Sequence, residues 1–364
     1  MHSRFTQVRT HRSLPRPIRP GPLALLCGLW LAVSTSGCER QASQRQFEQA
    51  FAARNQIELQ KELLPRSPVV ATLARGEQVE IINRRRRFVQ VRTASGSEGW
   101  TQDSKLITPQ VRDYMERLIE QTSSMASQGV VRALDTLNVH LEPYRWSQTI
   151  YQLQEDEPVE LLRHRVVDRF PDPPSPGKPA PQPIGVDDWY LVRLSDGQPG
   201  WVLAGSVYSA IPDEVLQYAE RRRITSYFEL GPPREGPDGK PRPTWLWTQI
   251  ERPKQSYDFD RFRVFMWSRR RQGYETIKLE RGLIGYLPVV VSDRVRTDGG
   301  SYPGFTITIE KDNRRIERTY ALINQKVQFV GERPTVAVSG HVADRPPQPP
   351  APPNPSLWQR LFRW

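Results

Sequence analysis

The strongest constraint on this chain is that part of it is written twice. Val69–Asn83 (VVATLARGEQVEIIN) aligns with Thr149–Arg163 (TIYQLQEDEPVELLR) at a constant offset of eighty residues. Glu77, Val79 and Glu80 then meet Glu157, Val159 and Glu160, and Ile81-Ile82 meet Leu161-Leu162. Phe88–Trp100 (FVQVRTASGSEGW) aligns with Trp189–Trp201 (WYLVRLSDGQPGW) at an offset of 101, so the second copy carries an insertion of twenty-one residues. The insertion holds the proline-rich run 171–183, where the first copy has only Arg84–Arg87. Hairpin tips tolerate insertion, so both copies are expected to turn there. Gly96 and Gly197 suit tight turns. Gly99 and Gly200, each directly before a tryptophan, let a neighbouring backbone approach. Units of about sixty residues are small for independent stability, so large aromatic side chains must carry much of the core.

The pattern continues as W-Y-x-V-R … D-G-x-x-G-W-V at Trp189–Val202. In this it resembles the bacterial SH3-like (SH3b) family. Asn138-Val139-His140-Leu141-Glu142-Pro143 is similar to that family's opening motif, with His140 in place of Arg and Glu142 in place of Gly. The first copy is more degenerate at the matching point, Leu63–Pro68. The resemblance covers residues 57–108 and 131–209 and implies two small β-barrels of five to seven strands. Such modules in exported bacterial proteins bind cell-wall peptides or act as scaffolding beside a catalytic domain. The candidate contacts are then the residues bordering the hairpins, Arg87, Trp100, Tyr190 and Trp201. Trp100 and Trp201 read equally well as core.

The amino terminus fixes a compartment. Arg4, Arg9, Arg12, Arg16 and Arg19 precede an eleven-residue apolar stretch, Leu23–Val33, which is too short to span a bilayer as a helix and reads as a signal peptide over residues 1–37. Thr35-Ser36-Gly37-Cys38 resembles the lipobox of bacterial lipoproteins, with Thr35 where that family has Leu. The resemblance implies a diacylglyceryl group on Cys38 and a membrane anchor. Ordinary cleavage at the small residues, leaving a soluble secreted protein, stays open. Either way Cys27 is discarded, and the formal charge falls from +12 to +7 because residues 1–37 hold five arginines and no acid. A mildly basic exported chain suits anionic envelope surfaces and is weak evidence for nucleic acid, so no nucleic-acid partner is expected.

The expected organisation is mainly β: two tandem SH3-like β-barrels joined by short helices, plus a C-terminal antiparallel β-rich domain. A tether at 38–56 includes a helix over Gln44–Arg54; the first barrel is 57–108 and the second 131–209. The linker 109–130 carries a helix at Gln110–Met125, and 210–223 carries another at Asp213–Arg222, with Asp213 and Glu214 at its positive end. Residues 224–334 read as an antiparallel meander with a hairpin at Lys311-Asp312-Asn313. The tail 335–364 has a stiff spacer, Pro346–Pro355, before SLWQRLFRW, which resembles an interfacial helix or docking peptide.

Catalytic signatures are not found. His140, His164 and His341 are scattered, with no metal-ligand spacing, and are expected to be solvated. No Gly-x-Ser-x-Gly or nucleotide-binding glycine loop occurs. Asp258 and Asp260 read as a charged edge, since spacing alone does not make an acid–base pair. No catalytic residue, metal or cofactor is expected. Arg84–Arg87, Arg221–Arg223 and Arg269–Arg271 read as solvated tips guarding sheet edges. Alternatively Arg84, Arg85, Arg86, Arg269, Arg270 and Arg271 touch anionic lipid or wall polymer. Trp245, Trp247, Phe262, Phe265 and Trp267 are core or a ligand platform. The expectation is a non-enzymatic cell-envelope lipoprotein, facing the periplasm or exterior, that binds peptidoglycan. The alternatives are a scaffold for another envelope protein, or an enzyme with its site in residues 224–334, which a deep cleft lined by Asp258, Asp260 and Glu275 would favour.

Overall fold

The computed structural model describes residues 48–54, 56–171, 181–236 and 238–335. The signal segment with Cys27, the lipobox with Cys38, most of the proline-rich insertion, His341 and the carboxy-terminal tail lie outside the described residues.

The first repeat forms a seven-stranded antiparallel sheet of β1 (Glu48–Ala52), β2 (Ile57–Gln60), β3 (Val69–Leu73), β4 (Gln78–Arg85), β5 (Phe88–Thr93), β6 (Glu98–Gln102) and β7 (Leu106–Ile107). Their order is β3-β2-β6-β5-β4-β1-β7. After α1 (Pro109–Ser123), the second repeat forms β8 (Val130–Ala133), β9 (Leu137–His140), β10 (Thr149–Leu153), β11 (Pro158–Arg169), β12 (Gly185–Arg193), β13 (Pro199–Leu203) and β14 (Val207–Ser209). Their order is β10-β9-β13-β12-β11-β8-β14, which is the same order strand for strand. The registers correspond too. Ile81 opposes Val91 and Leu161 opposes Val192, each followed by a bulge, and Gln60 opposes Trp100 as His140 opposes Trp201. Gly96 and Gly197 share a φ of 84°, a left-handed value that favours glycine. A Cβ at Gly99 would lie 2.8 Å from the Leu59 Cβ, and one at Gly200 2.3 Å from Val139 Cγ1. The close approach required of these glycines is therefore chiefly to side chains of the adjoining strand.

β1 corrects the expected helix over Gln44–Arg54. It pairs with β4 on one side and β7 on the other, and it buries Ala50, Phe51 and Ala52. A vacant place between two strands outweighs alanine's helix propensity, which is worth under about 1 kcal/mol per residue.

The insertion in the second repeat lengthens one hairpin into an arm. Beyond the point where the first repeat turns, β11 and β12 add the pairs Val166↔Asp188, Val167↔Asp187, Asp168↔Val186 and Arg169↔Gly185. Helix α1 starts on a Thr108 side-chain cap to Val111 N (3.3 Å), followed by Pro109, and Arg193 donates to the carbonyls of Thr122 and Met125 at its other end. Phe51, Ala53 and Ile107 of the first repeat, and Met115 of α1, lie in one buried cluster with Val131, Leu161 and Val202 of the second.

α2 (Asp213–Leu216) is shorter than the expected Asp213–Arg222. A single 3₁₀ turn follows, and Glu220 and Arg221 then take φ of 53° and 59°, ending the helix. The third sheet contains β15 (Arg223–Glu229), then, after a small hairpin of β16 (Arg234–Glu235) and β17 (Pro241–Arg242), β18 (Trp245–Ile250), β19 (Phe259–Ser268), β20 (Gly273–Thr297), β21 (Gly300–Lys311), β22 (Arg314–Ile323) and β23 (Lys326–Pro334). The seven main strands run in chain order, all antiparallel, and Asp312-Asn313 make the turn with φ of 51° and 57°. Phe262 packs against Phe305 and Tyr320 in one core cluster, and Trp245, Trp247 and Phe265 pack against Val215 of α2 in another. With Trp267 half-buried as well, this aromatic set serves packing, not a platform.

Candidate functional site

On the first repeat, β6 and the loop between β2 and β3 frame a groove of about 360 Å³, lined by Glu62, Leu63, Leu64, Arg85 and Trp100. The loop is pinned at its base: Lys61 N donates to Pro68 O (2.9 Å) and Glu62 N to Ser67 Oγ (2.8 Å). Leu64 is 59% exposed, and Trp100 is half-buried. Apolar surface, an indole, one acid and one base therefore face solvent together. That combination suits a short peptide with apolar and charged groups close together. Arg87 stands outside this lining, exposed at the hairpin tip with its guanidinium 5.3 Å from the Phe88 ring centre.

The second repeat builds the same loop with the same bonds, Leu141 N to Gln148 O (2.9 Å) and Glu142 N to Ser147 Oγ (2.9 Å), and then fills the groove. Tyr144 occupies the position of Leu64 and stacks on Trp146 (5.3 Å between centroids, 16°), which in turn meets Phe170 of the arm at 6.2 Å. Trp201 is only 6% exposed and packs with Tyr144, Leu162 and Trp189. Tyr190 is fully enclosed, and burial raises its hydroxyl pKa. Tyr190 and Trp201 are thus corrected from ligand contacts to core. The signal was legible in Tyr144 and Trp146, which replace Leu64 and Arg66 at the eighty-residue offset.

A second constellation joins the arm to the third sheet. His164 on β11 is 8% exposed at its side chain, with Nδ1 2.6 Å from Asp258 Oδ1 and Nε2 hydrogen-bonded to Asp188 Oδ1. Asp188 Oδ2 accepts from Arg223 of β15, and Asp258 Oδ2 accepts from Leu287 N at 2.6 Å. Burial alone would depress the imidazole pKa, but the two carboxylates outweigh it and hold His164 at about 9. Burial pushes Asp188 up, yet His164 and Arg223 bring it below the usual carboxylate range. An imidazolium that donates both its N–H groups has no lone pair for proton abstraction or metal ligation. Among the described residues no group of three or more His, Cys, Asp or Glu side chains is arranged to hold a metal ion. A cleft of about 420 Å³ opens beside the cluster, between the arm and Gln255-Ser256.

His164 therefore departs from the expected solvated histidine. So does His140, whose Nδ1 lies 2.9 Å from Ser147 O and whose ring meets Trp189 edge-on at 5.4 Å, with burial lowering its pKa. The carboxylates Asp258, Asp260 and Glu275 do not share a cleft. Asp258 faces His164, Asp260 binds Arg261 (2.8 Å) and Glu251 N (2.7 Å), and Glu275 pairs with Arg271 (3.1 Å). Of the arginines, Arg84 is held by Asp103 and Glu48, both at 2.9 Å. Arg85, Arg86, Arg269, Arg270 and Arg271 are exposed.

No family model and no curated protein matches the chain. Among solved structures it is similar to NlpC2 from Trichomonas vaginalis, with 12% identity, 80% of this chain and 98% of that chain covered, and a TM-score of 0.16. It is also similar to NlpC1 from the same organism (11%, 80% and 94%, TM-score 0.17) and to an NlpC/P60 family protein from Bacillus cereus ATCC 10987 (12%, 79% and 99%, TM-score 0.18). Scores this low place no active site in this chain. The structural neighbours bear the NlpC/P60 name, and the expectation of a non-enzymatic protein is withdrawn.

Proposed function

We propose that this is a cell-envelope protein, anchored through Cys38, whose first repeat acts as an SH3-like module that grips a peptide of the cell wall. One observation carries this reading. The module is present twice with the same strand order, yet its groove is open around Trp100 and filled around Trp201. A half-buried tryptophan in an open groove is apolar surface left uncovered, which marks a contact site. Leu63 and Leu64 offer apolar contact, while Glu62 and Arg85 orient charged ends. The second repeat holds the first through the core they share around Phe51 and Ile107.

The test is sedimentation with purified peptidoglycan. The full chain is expected in the pellet, and Trp100→Ala in the supernatant with its melting temperature nearly unchanged, as for a half-exposed side chain. Trp201→Ala is expected to lose about 3–5 kcal/mol of stability. Wild-type protein that stays in the supernatant overturns the wall reading and leaves a partner protein of the envelope in its place.

A further inference from the structure

Between the two repeats lies a second, smaller recess of about 230 Å³ that the peptide groove does not use. Its side chains come from both sides: Arg54, Gln102 and Lys105 from the first repeat, Asn138, Tyr151 and Gln152 from the second. We propose that this recess binds a carboxylate-bearing sugar ring. The inference rests on the wall reading above and names a second part of the same polymer, a ring whose carboxylate no longer carries its peptide.

The chemistry is specific. Two cations line the recess and no carboxylate does. Lys105 makes no ion pair among the described residues, and Arg54 lies over the Tyr151 ring, 5.9 Å from its centroid. The Tyr151 hydroxyl is spent on Glu157 (2.9 Å), which fixes the ring as a flat apolar wall. Three amides complete the set, and Gln152 Nε2 donates to Asn138 Oδ1 at 3.1 Å. Primary amides both donate and accept, which matches the hydroxyl and acetamido groups of a sugar, while an ammonium and a guanidinium match its carboxylate. The volume suits a single ring. Gln102 follows Trp100 by two residues on β6, so both project from one face of the strand, and one polymer could run across the two sites.

The experiment is calorimetric titration of the full chain with N-acetylmuramic acid and with its carboxamide, which differs only in charge. The acid is expected to bind roughly tenfold more tightly at low salt, as for a charge-assisted contact. Lys105→Glu should abolish that preference, and Lys105→Gln should reduce it. Lys105 ties to the fold through its backbone carbonyl, which accepts from Ala53 N at 3.0 Å, and its side chain makes no ion pair among the described residues, so both variants should melt as wild type. Trp100→Ala should keep the preference for the acid while losing peptide. Equal affinity for acid and amide, or a preference untouched in Lys105→Glu, overturns the proposal. Because sedimentation of the wild type is scored separately, such a result can coexist with an intact peptide groove, so failure of the sugar site is distinguishable from failure of the wall reading.

Discussion

At His164 two carboxylates hold a buried imidazolium, and the sign of its pH dependence follows from that arrangement. The folded pKa of about 9 lies above the ordinary 6.5, so the contribution to stability is complete below pH 6.5 and is lost as pH rises through 9. Asp188 works in the opposite sense: depressed below 3.8, it contributes above that value and is lost as pH falls through its folded pKa. His164→Gln leaves two buried acids without their cation and is expected to cost about 3–5 kcal/mol near pH 6. The gap from wild type should shrink between pH 6.5 and 9.5, read by denaturant melts at each pH. A gap constant across that range would mean that His164 is neutral in the folded state.

The arm of β11 and β12 is the element that the duplication did not foreshadow. Adjacent residues of a strand point to opposite faces, so Asp187 and Asp188 clamp it in two directions. Asp187 takes Arg145 of the loop after β9 (2.7 and 2.9 Å) and Arg169 across the arm (2.9 Å), while Asp188 takes His164 and Arg223. Replacing residues 166–188 by a two-residue turn, the length seen at Arg86-Arg87, should leave β12 and β13 paired. Hydrogen exchange should then show slow amides kept in β12 and β13 and faster exchange in β15, where Arg223 loses its orientation. Unchanged protection throughout β15 would show that the arm contributes nothing to the junction.

In the whole molecule the repeats and the third sheet are joined by more than the arm. The two repeats share a core through Phe51, Ile107 and Met115. Gln128, fully buried, accepts from Val289 N (2.8 Å) and donates to Val289 O (3.4 Å), while its own carbonyl accepts from Tyr227 N (3.0 Å). A Cβ at Gly129 would lie 2.6 Å from the Tyr227 ring, so only glycine lets the linker pass. Elements that share buried side chains cannot melt separately without exposing them. Calorimetry is therefore expected to show one transition for the two repeats, with matching calorimetric and van't Hoff enthalpies. Phe51→Ala should lower the whole transition instead of splitting it, and two resolved transitions in the wild type would refute the shared core.

The sequence by itself determined the duplication, the mainly-β class, the hairpin turns and the meander of the third sheet. Those features depend on periodicity and on turn residues between neighbouring strands, which are local. Offsets of eighty and 101 residues even carried over to the strand registers and to the paired glycines. Only the tertiary structure decided that Glu48–Ala52 is a strand, that one groove is open and its twin filled, and that His164 is charged. The partners of His164 and Asp188 stand 24, 35 and 94 residues away along the chain. Their meeting depends on how three sheets pack, and the desolvation and charge that set their chemistry exist only once that packing has formed.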